Sequence, residues 1–176
     1  RLAGRLLRWA VGSKMFTYEQ YQPRPLRLPS EGVSSWSQTD GPSFAIVTPS
    51  FGQGKFLRRT IDSVLNQNYP HLSYTVQDGG SSDETLEILK AYGARLDWRS
   101  VPDRGQAHAI NLGFQRVSGD LMGWVNSDDM LTPGTLHYVA EAFSRHPEID
   151  VFYGNRIYVD AIDREIGRCI LPQHHD

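Results

Sequence analysis

Trp124-Val125-Asn126-Ser127-Asp128-Asp129 is the stretch from which the fold of this chain can be read. Leu121, Met122, Gly123, Trp124 and Val125 form a short apolar run without helical spacing, which predicts a buried strand, and the run stops at two adjacent carboxylates. In an open α/β sheet, ligands gather beyond the carboxyl ends of the strands, so acids delivered there face a cleft. Neighbouring carboxylates repel, and a hard divalent cation shared with substrate phosphates relieves that repulsion. A polar turn capping the next helix uses the same residue types, and the six residues alone leave both readings open.

Working upstream, Gly119-Asp120 leads into this strand from a helix predicted over Gln106 to Val117, with Ala109, Ile110, Phe114 and Val117 turned inward. Before it stands a weaker strand, Leu96 to Val101, ended by Pro102-Asp103-Arg104-Gly105. Leu72 to Gln77 predicts a further strand that delivers Asp78. Gly79-Gly80 then turns the chain, and Ser81 with Glu84 forms a capping-box pattern for a helix with Leu86, Ile88 and Leu89 inside. The first strand of the series is Phe44 to Thr48, closed by the turn Pro49 to Gly54. Its helix carries Phe56, Leu57, Ile61, Val64 and Leu65 on one face and fails at Asn66 to Pro70.

Downstream, Thr132 before Pro133 predicts an N-cap and first helical position, followed by Leu136, Val139, Ala140 and Phe143 on the inner face. Val151 to Tyr153 and a hairpin of Arg156–Val159 with Glu165–Leu171 complete the pattern. Four strand-helix alternations predict an α/β fold, a mostly parallel sheet with helices on both faces. Thr48, Ser50, Asp78, Arg104, Asn126, Ser127, Asp128 and Asp129 all fall at strand ends. A second isolated carboxylate, Asp78, at the end of another parallel strand favours a binding cleft over a casual surface turn.

The 176 residues are 39% hydrophobic with a formal charge of -2, enough for a proper core and without the basic excess that nucleic-acid binding requires. Cys169 is the one cysteine, and its apolar neighbours mark it as a packing residue. No stretch reaches the roughly 18 apolar residues of a membrane span, so a cytoplasmic setting is expected. Arg1 to Lys14 reads as a short basic amphipathic helix, either resting on its own domain or making peripheral contact with an anionic membrane. Tyr21 to Ser43, rich in proline, glycine and serine, reads as a linker, giving a helix-and-linker segment over 1–43 and a domain over 44–176. A first residue other than methionine and a turn-like end suggest a piece of a longer protein. His71, His108, His137 and His146 read as surface or packing residues, and His174-His175-Asp176 as a polar end.

Four motifs in order now carry a resemblance: Ala45-Ile46-Val47-Thr48-Pro49-Ser50-Phe51, Val76-Gln77-Asp78-Gly79-Gly80-Ser81-Ser82-Asp83, Gly105-Gln106-Ala107-His108-Ala109-Ile110-Asn111-Leu112-Gly113 and Asn126-Ser127-Asp128-Asp129. Together they resemble the inverting glycosyltransferases of family 2, whose nucleotide-sugar-binding fold is called GT-A, over Phe44 to about Leu171. The resemblance implies that the chain is the donor-binding portion of an enzyme that moves a sugar from a nucleoside diphosphate to an acceptor hydroxyl, in polysaccharide or related synthesis. The donor implied is a UDP- or dTDP-sugar; the acceptor is a glycan, a lipid-linked sugar or another hydroxyl.

The resemblance also implies residue roles. Asp78 would accept the N3–H of uracil or thymine, with Thr48, Pro49 and Ser50 lying along the nucleotide. Asp129 would ligate a divalent cation, Mn2+ or Mg2+, and Asp128 the ribose or the metal; Asn126 lines the same loop and Arg104 would assist the diphosphate. The family's acidic motif begins one residue earlier than here, where Ser127 stands, and the arginine that many relatives carry is replaced by Ile110. No residue matches the family's general base, so Asp160, Asp163 and Glu165 are not nominated and the base is expected beyond residue 176. A GT-A module that binds nucleotide-sugar or a partner without catalysis, and a nucleotidyltransferase, are the competing readings. The loop Pro49 to Lys55 is a poor triphosphate cradle for the latter.

Overall fold

A computed structural model describes residues 17–28 and 41–171. The helix expected over residues 1–14, most of the linker after residue 28, and His174-His175-Asp176 lie outside the described residues. Two compact units divide the rest: residues 41–149, and residues 17–28 with 150–171.

In the larger unit the order is β2 (Phe44–Ser50), α1 (Gly54–Leu65), β3 (Leu72–Asp78), α2 (Thr85–Ala91), a 3-10 turn (Gly93–Arg95), β4 (Asp97–Ser100), α3 (Gln106–Phe114), β5 (Leu121–Trp124) and α4 (Thr135–Arg145). The four strands form one sheet in the order β4-β3-β2-β5, parallel at every pairing. β2 and β3 run in the middle, which is why Phe44–Ser50 is buried throughout and reads as a continuous apolar run.

Alternation along β2 decides which helix packs where. Ile46, with Tyr74 and Val76 of β3, joins Leu57, Ile61 and Val64 of α1, Ile88 and Leu89 of α2, and Leu136 and Ala140 of α4 in one apolar cluster. Val47 points to the opposite face, where a Cβ added at Gly113 of α3 would stand only 2.4 Å from its Cγ1. Glycine therefore lets α3 lie close against the sheet.

Several elements depart from expectation. The run 121–125 was expected as a buried strand; β5 is instead an edge strand, with Met122 and Trp124 each 57% exposed. The capping box of Ser81 and Glu84 does not form: Ser81 turns to Asp78, and Asp83 Oδ1 accepts the Thr85 N–H instead at 3.1 Å. Thr132 is not the N-cap of α4, which starts at Thr135 behind Gly134 in a left-handed conformation (φ 78°). α3 ends at Phe114, short of Val117.

The smaller unit overturns part of the linker reading. Tyr21–Pro25, read as linker, belongs to β1 (Thr17–Pro25), which pairs antiparallel with β7 (Arg164–Ile170), and β7 pairs with β6 (Arg156–Val159). β1 is an edge strand whose register shifts between Gln20 and Arg24, which is where a strand can carry Pro23. Val151 to Tyr153 form no strand. The hairpin of β6 and β7 stands as expected. Glu165, fully buried, gathers the unit's charges: Arg24 reaches it at 2.8 Å, Arg168 at 2.6 and 3.0 Å, and the Tyr21 hydroxyl donates to it. The Arg168 guanidinium, then the Tyr21 hydroxyl and Arg24, hold the Glu165 carboxyl far below its ordinary value.

Candidate functional site

The site is built at the carboxyl ends of β2, β3, β4 and β5, where parallel strands turn into their helices. Ser50 and Asp78 stand side by side in the register of β2 and β3, and the Gly79 N–H donates to the Ser50 carbonyl at 2.8 Å. Thr48 lies one turn of the pleat deeper, fully buried, sharing a 3.0 Å hydrogen bond with the Tyr74 hydroxyl. Burial pushes the Tyr74 phenol up, so it stays protonated across the working pH range. Pro49, between them, is buried in β2. The Ser50 hydroxyl is buried without a hydrogen-bond partner among the described residues.

Asp78 is 0% exposed and its carboxylate is taken up by the chain itself. Oδ2 accepts the Gly80 and Ser81 N–H groups at 3.0 and 2.9 Å and the Ser100 hydroxyl at 2.6 Å, while Oδ1 accepts the Ser81 hydroxyl at 2.5 Å. The three bonds from Gly80 and Ser81 close the turn after β3, and the Ser100 bond ties it to the end of β4.

The acidic loop after β5 is held from below by α1. The Thr60 hydroxyl lies 2.8 Å from both the Ser127 and Asp129 carbonyls, and the Ser63 hydroxyl accepts the Leu131 N–H at 3.1 Å. Gln67 donates to the Thr132 carbonyl and accepts the Leu136 N–H, so the stretch into α4 is pinned as well. Sequence reading missed these three residues. Their signal was a polar stripe at helical spacing, Thr60 and Ser63 beside the apolar face of α1 and Gln67 in the turn just past its end.

Above that support the side chains of Asp128 and Asp129 are exposed. Gln106, the first residue of α3, donates to Asn126 Oδ1 at 2.6 Å, and Asn126 Nδ2 donates to Asp129 Oδ2 at 3.0 Å. The chain of amides orients one carboxylate oxygen of Asp129 and leaves the other open. Gln106 had not been singled out. Arg104 is exposed; its N–H donates to His108 Nδ1 at 3.1 Å, and no ion-pair partner for its guanidinium is found among the described residues. The structure thus brings Ser50 and Asp78 together, and Asn126, Asp128 and Asp129 together.

For a divalent cation the donor set is two neighbouring carboxylates. Among the described residues no cluster of three or more His, Cys, Asp or Glu side chains stands ready to cage a metal. Two carboxylates with open coordination positions suit an ion shared with a ligand's phosphate oxygens and water.

A parallel sheet with polar groups gathered at its carboxyl ends makes this an open α/β domain with a ligand-facing edge, and comparison with known proteins identifies its family. Residues 45–173 match the model of glycosyl transferase family 2, and the chain belongs to that family. The fold is the GT-A type. Among its relatives, a poly-beta-1,6-N-acetyl-D-glucosamine synthase of Staphylococcus epidermidis is 28% identical over 152 residues, 84% of this chain and 35% of the relative. An uncharacterized glycosyltransferase of Mycobacterium tuberculosis is 32% identical over 119 residues, 66% of this chain and 45% of the relative. The chain thus spans between a third and a half of these relatives. Among solved structures, S. aureus TarS 1-349 in complex with UDP-GlcNAc superposes with a TM-score of 0.55 at 23% identity, covering 60% of this chain and 32% of that one.

Proposed function

We propose that the larger unit holds the nucleoside diphosphate of a sugar donor, and that the whole protein transfers the sugar with inversion to an acceptor hydroxyl. One observation carries the reading: the Asn126-Ser127-Asp128-Asp129 loop stands at the carboxyl end of a parallel strand next to β2, which bears Ser50, with β3 and its Asp78 one strand further on, and it is pinned by Thr60 with both acids open to solvent. Family membership and the UDP-GlcNAc complex of TarS support a uracil nucleotide as the first ligand to test.

In this reading Asp129, oriented by Asn126, and Asp128 hold a Mn2+ or Mg2+ ion against the diphosphate. That ion would neutralise charge building on the leaving group as the glycosidic bond breaks. Arg104, unpaired among the described residues, supplies a second positive charge within the same set of loops. Thr48, Pro49 and Ser50 form the strand end along which the nucleoside lies, and Asp78 shapes its floor by fixing the turn at Gly80 and Ser81. Removal of the acceptor proton needs a base. Among the carboxylates of the smaller unit, Glu165 is sealed by Arg24 and Arg168, and Asp160 is engaged by Arg164 at 2.8 Å, so neither is offered for that step.

Calorimetry with UDP, dTDP and UDP-GlcNAc, with Mn2+ or Mg2+ and then with a chelator, tests the proposal. Metal-dependent UDP binding is expected, and Asp129→Ala should weaken UDP far more than uridine, because a bridging cation acts only where there is phosphate. Equal UDP affinity with and without metal would remove the cation from the reading; absence of nucleotide binding would remove the reading itself.

A further inference from the structure

The three turns that follow β2, β3 and β4 meet at Gly79. A Cβ built there would stand 2.9 Å from Asp103 Oδ2 and 3.2 Å from Phe51 Cδ2, so the Asp103 carboxylate and the Phe51 ring flank one point where the glycine has no side chain. Phe51 is 70% exposed, an unusual position for so large an apolar ring. Asp103 is partly buried and held in place: Oδ1 accepts the Gly105 N–H at 2.7 Å, while Oδ2 has no hydrogen-bond partner among the described residues. Asp78, the residue just before Gly79, has both oxygens engaged by Gly80, Ser81 and Ser100.

We propose that Asp103, and not Asp78, is the carboxylate that reads the nucleobase. Gly79 makes the room: any side chain at that position would displace the carboxylate or the ring. A carboxylate is an acceptor only, so it selects a flat ring that offers a ring N–H. Uracil and thymine do so through N3–H, and guanine through N1–H with its amino group. Cytosine places a lone pair at N3, which faces the carboxylate oxygen with repulsion. The inference rests on the nucleotide reading of the larger unit and adds the residue that sets base preference within it.

The test is calorimetry of the full chain with UDP, CDP and GDP in the presence of Mn2+, for the wild type, Asp103→Ala, Asp103→Asn and Gly79→Ala. The wild type should bind UDP more tightly than CDP. Asp103→Ala should weaken UDP about ten- to a hundredfold, the span expected for a lost charged hydrogen bond, and leave CDP nearly unchanged or improved, so that the preference collapses. Asp103→Asn can turn its NH2 toward cytosine N3 and should move the preference toward CDP. Gly79→Ala should lose part of the preference through displacement of the Asp103 carboxylate. A loop merely disturbed by these changes would weaken UDP and CDP alike, and that result overturns the assignment. So does an unaltered UDP preference in Asp103→Ala, which leaves the nucleotide reading standing. If the wild type binds none of the three nucleotides, the nucleotide reading itself fails and the assignment with it.

Discussion

Replacing Asp78 separates a structural carboxylate from a ligand-reading one. The side chain is 0% exposed and accepts four hydrogen bonds, from the Gly80 N–H, the Ser81 N–H, the Ser81 hydroxyl and the Ser100 hydroxyl. In Asp78→Ala the two hydroxyls can turn to other acceptors, but the two N–H groups are fixed by the backbone; the Ser81 N–H is buried and the Gly80 N–H lies nearer the surface. An unsatisfied buried donor costs about 1–3 kcal/mol, and the lost charge-assisted hydroxyl contacts add to it, so about 3–5 kcal/mol is expected in total. For a chain of this size each kcal/mol lowers the melting temperature by roughly 2–4 °C, so Asp78→Ala should melt about 6–20 °C lower. Asp78→Asn keeps one carbonyl oxygen for the turn and should lose about half as much. Thermal unfolding followed by circular dichroism measures both. An Asp78→Ala chain that melts with the wild type yet loses UDP binding would refute this reasoning and return base recognition to Asp78.

Two further outcomes follow from the same geometry. Thr60→Val keeps the shape of the side chain and removes the hydroxyl between the Ser127 and Asp129 carbonyls; it should cost about 1–2 kcal/mol in chemical denaturation and weaken metal-dependent UDP binding through a looser Asp129. Glu165, its carboxyl held far below its ordinary value by Arg168, Tyr21 and Arg24, stabilises the fold fully above the unfolded carboxylate pKa of about 4.3, and that stabilisation is lost as pH falls toward the depressed folded value. The melting-temperature gap between wild type and Glu165→Gln should therefore be widest near neutral pH and shrink as pH drops below about 4; a constant gap would contradict the ionised state of Glu165.

The order of elements in the larger unit was legible in the sequence because each rests on short-range chemistry. The apolar run Phe44 to Thr48, closed by a Pro-Gly turn, has the length and composition of a strand, and the spacing of Leu57, Ile61 and Val64 is that of one helix face. The acids at 128 and 129 announced themselves in the same way, since a strand that ends in two carboxylates delivers them to a sheet edge. Other features depended on residues far apart in the chain. Whether 121–125 lies inside or at the edge of its sheet depends on how many strands pair beside it, and among the described residues β5 pairs only with β2. Tyr21–Pro25 looked like linker because its prolines forbid a central strand, yet β7, some 140 residues later, supplies an antiparallel partner and the buried Glu165 that fastens Tyr21 and Arg24. Ser81 has the spacing of a helix cap, but its hydroxyl oxygen accepts the Gly52 N–H from the turn after β2 at 2.8 Å while its hydrogen goes to Asp78, so no N–H of α2 is capped by it. Local periodicity and turn chemistry were enough to name the strands, the helices and the acidic loop. Which polar groups are left open to a ligand was decided only in three dimensions, where Ser100 of β4 joins the Gly80–Ser81 turn in satisfying Asp78 while Asp103 keeps an oxygen to spare.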